Sequence, residues 1–561
     1  MTIEFECAAR NGKPQRLVIA RFEDGGTFRD ELNTDDFKAR SRFWESIAVR
    51  AGLDCETLER DFAGKLHYCA DDADASVQAE LGERDDGEAR QSTATQLITL
   101  ARAAGLKVWR SLDGECFGTM SNGNHTEHHR TSAKAFRQWL SVLFYSQTGR
   151  AANSQAIADA TSILDGEATF GGEQHSVWLR TASFEDRIYI DIGDETWRAI
   201  EIDSNGWRIV ENPPVRFRRP KTMMPMPIPD ASGDAQQIRN FINVDVQTRQ
   251  LILAWLVAAL RPTGPYPVVA LHGEQGTGKS TVARLLRMLV DPNAALVRRM
   301  PNEPRDLASM ATNSWVLAAD NISHLPPWLS DALCVLSTGG AFAARSLFTD
   351  SDESVFTAQR PILATGITDY INRSDLLDRT LSITLEPIPE SDRRQERLMM
   401  AEFELAKPRI LGGLLNAVSC GLRRIDSVRL ESLPRMADFL AWAEACGPSL
   451  GLCEGDFPAI YTEHRKSLNA MALESQTIAK TILDHMPLSG WTGTATDLLD
   501  WVSHHAPEEQ RKMRDFPRNA TVMGNQVRRV APNLRAAGLD VQFDKIGGER
   551  RITFTRTGDQ E

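Results

Sequence analysis

Eight consecutive residues in the middle of the chain, Gly273, Glu274, Gln275, Gly276, Thr277, Gly278, Lys279 and Ser280, fill the spacing G-x-x-x-x-G-K-S. Glycines at 273, 276 and 278 let successive backbone N–H groups turn inward as an anion nest at a helix N-terminus, where the helix dipole also favours phosphate. Lys279 is then expected to reach the β- and γ-phosphates of ATP, and the Ser280 hydroxyl to sit on Mg²⁺, with Thr281 beside it. A second acid fits the same chemistry. Asp320 lies 41 residues after Lys279 and ends the apolar run WVLAAD, where a carboxylate beside the loop orders Mg²⁺ through its water shell. ATP and Mg²⁺ are the cofactors this pattern predicts.

Such a loop needs a strand before it and a helix after it. Val268 to Leu271 reads as a buried strand, and Val282, Leu285, Leu286 and Leu289 fall at i, i+3, i+4 and i+7 on one helix face. Upstream, Thr248 to Leu260 predicts a helix with Leu251, Trp255 and Ala259 on its apolar face, turning at Pro262-Thr263-Gly264 into the loop strand. Downstream, RPILATG (Arg360 to Gly366) and Leu381 to Leu385 read as further buried strands, the second preceded by DLLDR (Asp375 to Arg379). Between them, Leu336 to Asp350 carries a Gly-Gly turn, alternating residues and the lone Arg345.

The run from Trp255 to Ile388 resembles superfamily 3 helicases, in particular the modules of virus-, phage- and satellite-type replication proteins related to the poxvirus primase-helicases. The resemblance makes Gly273 to Ser280 motif A, Asp320 the motif B acid and Thr338 to Phe348 the motif between B and C. It implies that Arg345 contacts single-stranded DNA from a hairpin, and that Arg379 reaches the γ-phosphate across a subunit interface. A hexameric ring is implied by the resemblance alone. Two positions depart from the family. Asn321 stands where many relatives have a second acid, and Gly366 stands where they have an asparagine. An amide cannot accept the proton of an attacking water, so ATP binding is better supported than turnover unless a group such as Glu274 assists.

The remainder frames this core. Residues 1–68 predict an α+β segment with strands at Thr2 to Cys7 and Arg16 to Phe22, an Asn11-Gly12 turn, a helix at Asp35 to Ala51 and a second near Leu58. Residues 69–92, largely DDADASVQAELGERDDGEAR, read as an acidic linker. Residues 93–213 predict an α+β accessory domain, with helices at Thr95 to Ala104 and Ala133 to Ser146 and a β-meander turning at Asn205-Gly206. Within it, His125 and His128 are offset by an odd number on a strand and face opposite sides, so an exposed polar strand is expected rather than a metal site. Asp191 and Asp194 sit where a hairpin turns, which argues against polymerase chemistry. Residues 214–232 read as a Pro-rich linker whose Arg216, Arg218, Arg219 and Lys221 are either solvated or set against a phosphate backbone. The ATPase core then covers 233–390 and a helical lid 391–486, with Arg397 to Lys407 and Ile410 to Leu422 its clearest helices.

Residues 487–557 predict three helices and a two-stranded hairpin, an order that resembles a winged helix-turn-helix. Its recognition helix, Met523 to Ala537, presents Asn525, Gln526, Arg528, Arg529, Asn533 and Arg535 to DNA. Residues 511–556 hold eleven Lys or Arg against four Asp or Glu, in a chain whose net charge is −12. That local reversal points to phosphate contact, whereas the whole chain is no basic nucleic-acid binder.

Composition, with 42% hydrophobic and 25% charged residues, describes a globular protein of several domains. No run of 18 apolar residues and no signal-peptide core is present, so no membrane contact and a cytoplasmic location are expected. The eight cysteines are scattered without a C-x-x-C pair and read as reduced thiols. The fold expected is thus multidomain α/β: a P-loop NTPase core of AAA+-like type, an N-terminal α+β region, a helical lid and a C-terminal winged helix. The leading functional expectation is an ATP-dependent, ring-forming DNA helicase or translocase of replicative, phage-like or mobile-element type. It would hold one strand in its channel and duplex DNA at the winged helix. Its rivals are an ATP-gated oligomeric switch or defence-type ATPase, and an ATP-binding replication initiator. No fused primase is expected.

Overall fold

A computed structural model describes residues 3–9, 16–22, 27–32, 37–51, 54, 55, 58, 92–345, 353–367, 371, 373–475, 477–513, 516–546 and 548–556. The Asn11-Gly12 turn, most of the helix expected near Leu58 and the acidic stretch 71–90 lie outside the described residues. The chain divides into two compact units, Met1–Leu97 and Ile98–Glu561.

In the first unit, Ile3–Ala9, Arg16–Phe22 and Thr27–Leu32 form an antiparallel sheet in chain order. The helix Phe37–Ala51 buries Phe43, Trp44 and Ile47. The third strand, TFRDEL, went unread because its charged centre breaks the apolar alternation that marks a strand.

The second unit begins with a four-stranded sheet in the order His125–Arg130, Cys116–Asn122, Lys107–Ser111, Gln174–His175, with helices Lys134–Thr148 and Ser154–Phe170. The meander Thr181–Phe184, Arg187–Asp191, Ala199–Asp203, Gly206–Val210 follows. The histidine strand is half-buried, not exposed as expected. His125 and His129 both bond Glu127 on one face, while His128 packs against Trp109. Among the described residues no group of three or more His, Cys, Asp or Glu could hold a metal.

Trp109 Nε1 donates to Thr119 Oγ1 at 2.8 Å, which leaves the threonine hydroxyl to donate to His128 Nδ1 at 2.9 Å, an arrangement that suits a neutral ring. Burial first, and then Arg216, His129 and Arg219, pull His128 down to about 3, with Glu127 opposing. Below the ordinary histidine value of 6.5 the unfolded chain takes a proton that the folded ring refuses. Stability should therefore fall as pH drops from about 6.5 toward 3, and His128→Gln should flatten a plot of thermal midpoint against pH across that window. Glu127, held near 2 chiefly by its hydrogen bond from His129, stays ionised over most of it.

Asp191 and Asp194 are structural. The Arg219 guanidinium grips both oxygens of buried Asp191, donating from Nε at 2.9 Å, and stacks on Trp197 at 3.9 Å. Asp194 accepts from the backbone and side chain of Arg198. Three of the four basic residues of the Pro-rich stretch, Arg216, Arg218 and Arg219, are accordingly held within the protein rather than open to a phosphate backbone, and Lys221 alone of the four is exposed. Arg216 stacks over Trp109, Arg218 donates to the Thr312 carbonyl and Phe217 pairs with Trp178. Proline sets this stretch extended, but its alternating Val215 and Phe217 are buried, so it is drawn onto the protein.

The central sheet is parallel, in the order Leu317–Ile322, Ile362–Gly366, Val268–His272, Thr380–Thr384. Against it lies Val246–Ala259, expected to be apolar on one face but buried all round from Gln250 onward. The helices of the following region cover its other side, with Trp442 Nε1 donating to the Val257 carbonyl. In that region, Glu396–Arg424 is one helix continuing through Pro408, where two were expected. Asp230 N donates to the Pro408 carbonyl, and a Cβ at Gly412 would lie 1.7 Å from the Asp230 carbonyl oxygen. Tertiary packing thus holds the helix across its proline. Among the described residues no helix is long and apolar enough to cross a membrane.

At the C-terminus, helices Thr477–His485, Ala495–His505 and Ala520–Ala536 pack on an antiparallel sheet in the order Trp491–Thr494, Glu549–Arg556, Leu539–Ile546. The first of these strands adds an edge that the sequence reading lacked. WTGT is too short to show alternation, and it is placed by pairing Trp491 with Phe554.

Candidate functional site

All four central strands point the same way, so their carboxyl ends share one edge, where open α/β sheets bind ligands. The glycine loop leaves the strand Val268–His272 at this edge and opens the helix Lys279–Val290. Gly273, Gly276 and Gly278 have φ of 139°, 88° and 83°, a region costly for any side chain. At Gly273 a Cβ would also sit 2.6 Å from the Leu385 carbonyl oxygen. Gly278 is the helix N-cap and supplies no side-chain cap, so no side chain competes for the N–H groups of the first turn. Glu274, Gln275 and Gly276 are exposed, Thr277 is buried, and Lys279, Ser280 and Thr281 are half-buried.

Lys279 Nζ donates to the carbonyls of Gly273 at 2.8 Å and Glu274 at 2.6 Å, so the ammonium folds over its own loop. Burial lowers it from the ordinary lysine value, Asp320 pulling the other way. Ser280 Oγ donates to Asp320 Oδ1 at 2.8 Å, which brings together the two oxygen donors predicted to serve Mg²⁺. A hydroxyl and a carboxylate are hard oxygen ligands of the kind Mg²⁺ takes, and this donor set fits the ion.

The neighbouring strand supplies a residue that the sequence reading missed. Thr365 Oγ1 donates to Asp320 Oδ1 at 2.5 Å and accepts from the Asn321 N–H at 3.1 Å. Asn321 is exposed, with φ of 58°. The register steps from Ala319 opposite Ala364 to Ile322 opposite Gly366, a β-bulge centred on Asp320 and Asn321. Gly366 ends its strand with no side chain to offer. The one available signal was a hydroxyl beside that glycine in RPILATG, which reads as a buried strand.

Arg379 is not brought to this edge. Its carbonyl accepts from Val268 N, at the start of the loop strand, and its Nη1 donates to the Asp375 carbonyl at 2.5 Å. Arg345 ends the strand Ala341–Arg345, which forms a hairpin with Glu353–Thr357 and pairs Arg345 with Glu353. Residues 346–348 of the expected DNA-contacting motif, between Arg345 and Glu353, lie outside the described residues.

In the C-terminal module a groove of about 410 Å³ opens between the helix Ala520–Ala536 and the terminal hairpin. Thr521, Asn525, Arg528, Lys545, Arg550 and Arg551 line it, with Arg528 stacked over Phe543 at 5.3 Å. Asn525 and Arg528 are therefore together. Arg529 is exposed but does not line the groove, whereas Arg535 is turned to Asp540 and to the Val541 carbonyl, and Asn533 is buried.

Residues 235–452 match the family described as actinomycete integrative conjugative element replication protein, and residues 478–561 match the RepA C-terminal domain of the same elements. The search of curated proteins gave no match. Among solved structures, the apo NrS-1 C-terminal region is similar at 11% identity over 82% of this chain and 99% of that one, with a TM-score of 0.35. The structure described as "SCCmec type IV Cch - active helicase" is similar at 12% identity over 81% and 93%, with a TM-score of 0.42. Both likenesses are too loose to bear on this chain's function. The two family matches relate the chain to mobile-element replication proteins.

Proposed function

We propose that the chain is an ATP-binding replication initiator of an integrative mobile element, with residues 233–390 as its nucleotide core and 487–557 as its DNA-binding module. The observation that carries the nucleotide reading is the convergence of the uncapped glycine loop, Lys279, Ser280 and Asp320 at the carboxyl edge of a parallel sheet. The loop's N–H groups and Lys279 would hold the triphosphate, and Ser280 and Asp320 would hold Mg²⁺, which when bound neutralises phosphate charge. Lys279 must leave the Gly273 and Glu274 carbonyls to reach a phosphate.

The DNA reading is supported by the basic groove. Arg528→Ala or Lys545→Ala should each weaken duplex binding and lower the slope of log affinity against log salt by about 1. Arg535→Ala should leave that slope unchanged, because its guanidinium is already spent on Asp540 and Val541. Equilibrium binding to element DNA across a salt series reads both, and equal slopes for all three variants and the parent would end the groove assignment.

A second reading, a ring-forming helicase or translocase, is favoured by the hairpin that carries Arg345 and by the position of Arg379 away from its own loop. A DNA-stimulated ATPase assay on a forked substrate separates the two. Binding of ATP and DNA without strand displacement supports the initiator, and displacement that depends on Lys279 supports the helicase. Failure to bind ATP would remove both.

A further inference from the structure

We infer that Thr365 is the positioning residue of the metal corner, serving where Gly366 offers no side chain. This rests on the nucleotide reading above. Thr365 is 1% exposed, so its hydroxyl has no water to turn to and must bond within the protein. It uses both of its capacities, donating to Asp320 Oδ1 and accepting from Asn321 N.

Each bond answers a specific local problem. The bulge adds one residue to the strand Leu317–Ile322, and the extra residue takes its N–H out of the ladder. Asn321 is that residue. Its left-handed φ of 58° is tolerated by asparagine at some cost, and the Thr365 oxygen satisfies the displaced N–H. The same displacement lets Asp320, on the helix-facing side of the sheet, meet Ser280. Two hydroxyls then converge on Oδ1 alone, and no protein hydrogen bond to Oδ2 is formed among the described residues. On the other flank, Asp320 N donates to the Arg298 carbonyl at 2.8 Å, so the backbone is pinned from the sheet edge while the carboxylate is pinned by Thr365. A carboxylate held in this way presents one free oxygen in a set orientation, which is how supporting residues tune a metal ligand.

Thr365→Val keeps the shape of the side chain and removes the hydroxyl. Thr365→Ser keeps the hydroxyl. Binding of a fluorescent ATP analogue to the full chain, measured in EDTA and over a Mg²⁺ titration, separates positioning from mere structure. All three proteins should bind alike in EDTA, where the loop and Lys279 act without the ion. With Mg²⁺, Thr365→Ser should follow the parent, and Thr365→Val should need roughly 10–100-fold more Mg²⁺ to reach the same affinity. Thr365→Cys, a weaker donor of similar size, should fall between them, and takes the valine variant's place if that protein does not fold. Equal Mg²⁺ requirements for parent and variants would overturn the inference, as would an equal loss in EDTA. Should the parent itself show no Mg²⁺-dependent ATP binding, the nucleotide reading fails, and this inference with it.

Discussion

On the ring-forming reading, alanine in place of Arg379 should lower ATP turnover by about 10³-fold or more, the scale of a missing arginine finger, and leave ATP binding intact. The argument begins with position. Arg379 precedes the strand Thr380–Thr384 and its carbonyl bonds Val268 N, so it lies at the amino edge of the sheet. The glycine loop lies at the carboxyl edge, five residues of extended chain away, roughly 17 Å at about 3.3 Å per residue. An arginine side chain does not span that gap to its own loop. If Arg379 acts on ATP, it acts on the nucleotide of a second copy, as a planar cation with no reorganisation to make. Its Nη1 is bonded to the Asp375 carbonyl, so the guanidinium would have to leave that carbonyl to act on a second copy. Mixing Arg379→Ala with Lys279→Ala distinguishes the cases. A shared site should regain turnover in mixed assemblies, because some interfaces pair an intact loop with an intact arginine. Two inactive proteins that stay inactive when mixed, or an Arg379→Ala protein with normal turnover, would remove Arg379 from the reaction.

The largest effect on stability is expected at Asp291. The side chains of Arg180 and Arg287 are 0% exposed and that of Asp291 4%, and the single carboxylate serves both guanidiniums, Arg180 Nε at 3.3 Å and Arg287 Nη2 at 3.4 Å. It also accepts from Val316 N at 3.1 Å. Arg180 donates further to the carbonyls of Asp191, Met224 and Pro292, and Arg287 to those of Ala295 and Leu296. One acid therefore ties the end of the loop helix to the acid-bearing strand, the meander and the Pro-rich strap. Asp291→Ala leaves two buried cations without a counter-charge, and removing one partner of such a pair typically costs about 3–5 kcal/mol. Asp291→Asn, which keeps an acceptor but not the charge, should lose less. Urea unfolding reads the difference, and a loss below about 1 kcal/mol for the alanine variant would show that solvent reaches the cluster.

How far these arrangements are legible in sequence depends on how local their causes are. The strand, turn and helix around Gly273 to Ser280 are, because positive φ, helix periodicity and N-terminal N–H groups all act within a few residues. Periodicity failed where burial is two-sided. The helix Val246–Ala259 shows no polar face to read, and Pro408 reads as a break because the Asp230 contact that holds the helix across it comes from far along the chain. Basic residues misled for the same reason. Arg216, Arg218 and Arg219 carry the charge a phosphate contact needs, and nothing near them in sequence reveals the tryptophan, carbonyl or carboxylate that engages each one, while Arg535 turns to Asp540 only because the strand after its helix folds back on it.

By itself the sequence determined a glycine loop between a buried strand and an amphipathic helix, an acid ending a second strand, and a cationic C-terminal segment, since composition and short-range spacing suffice for each. Only the tertiary structure decided that Asp320 meets Ser280, that Thr365 holds the bulge beneath them, and that Arg379 stands at the opposite edge of the sheet. Strand order and register set those distances, and both arise from pairing between segments tens of residues apart, which no local pattern encodes.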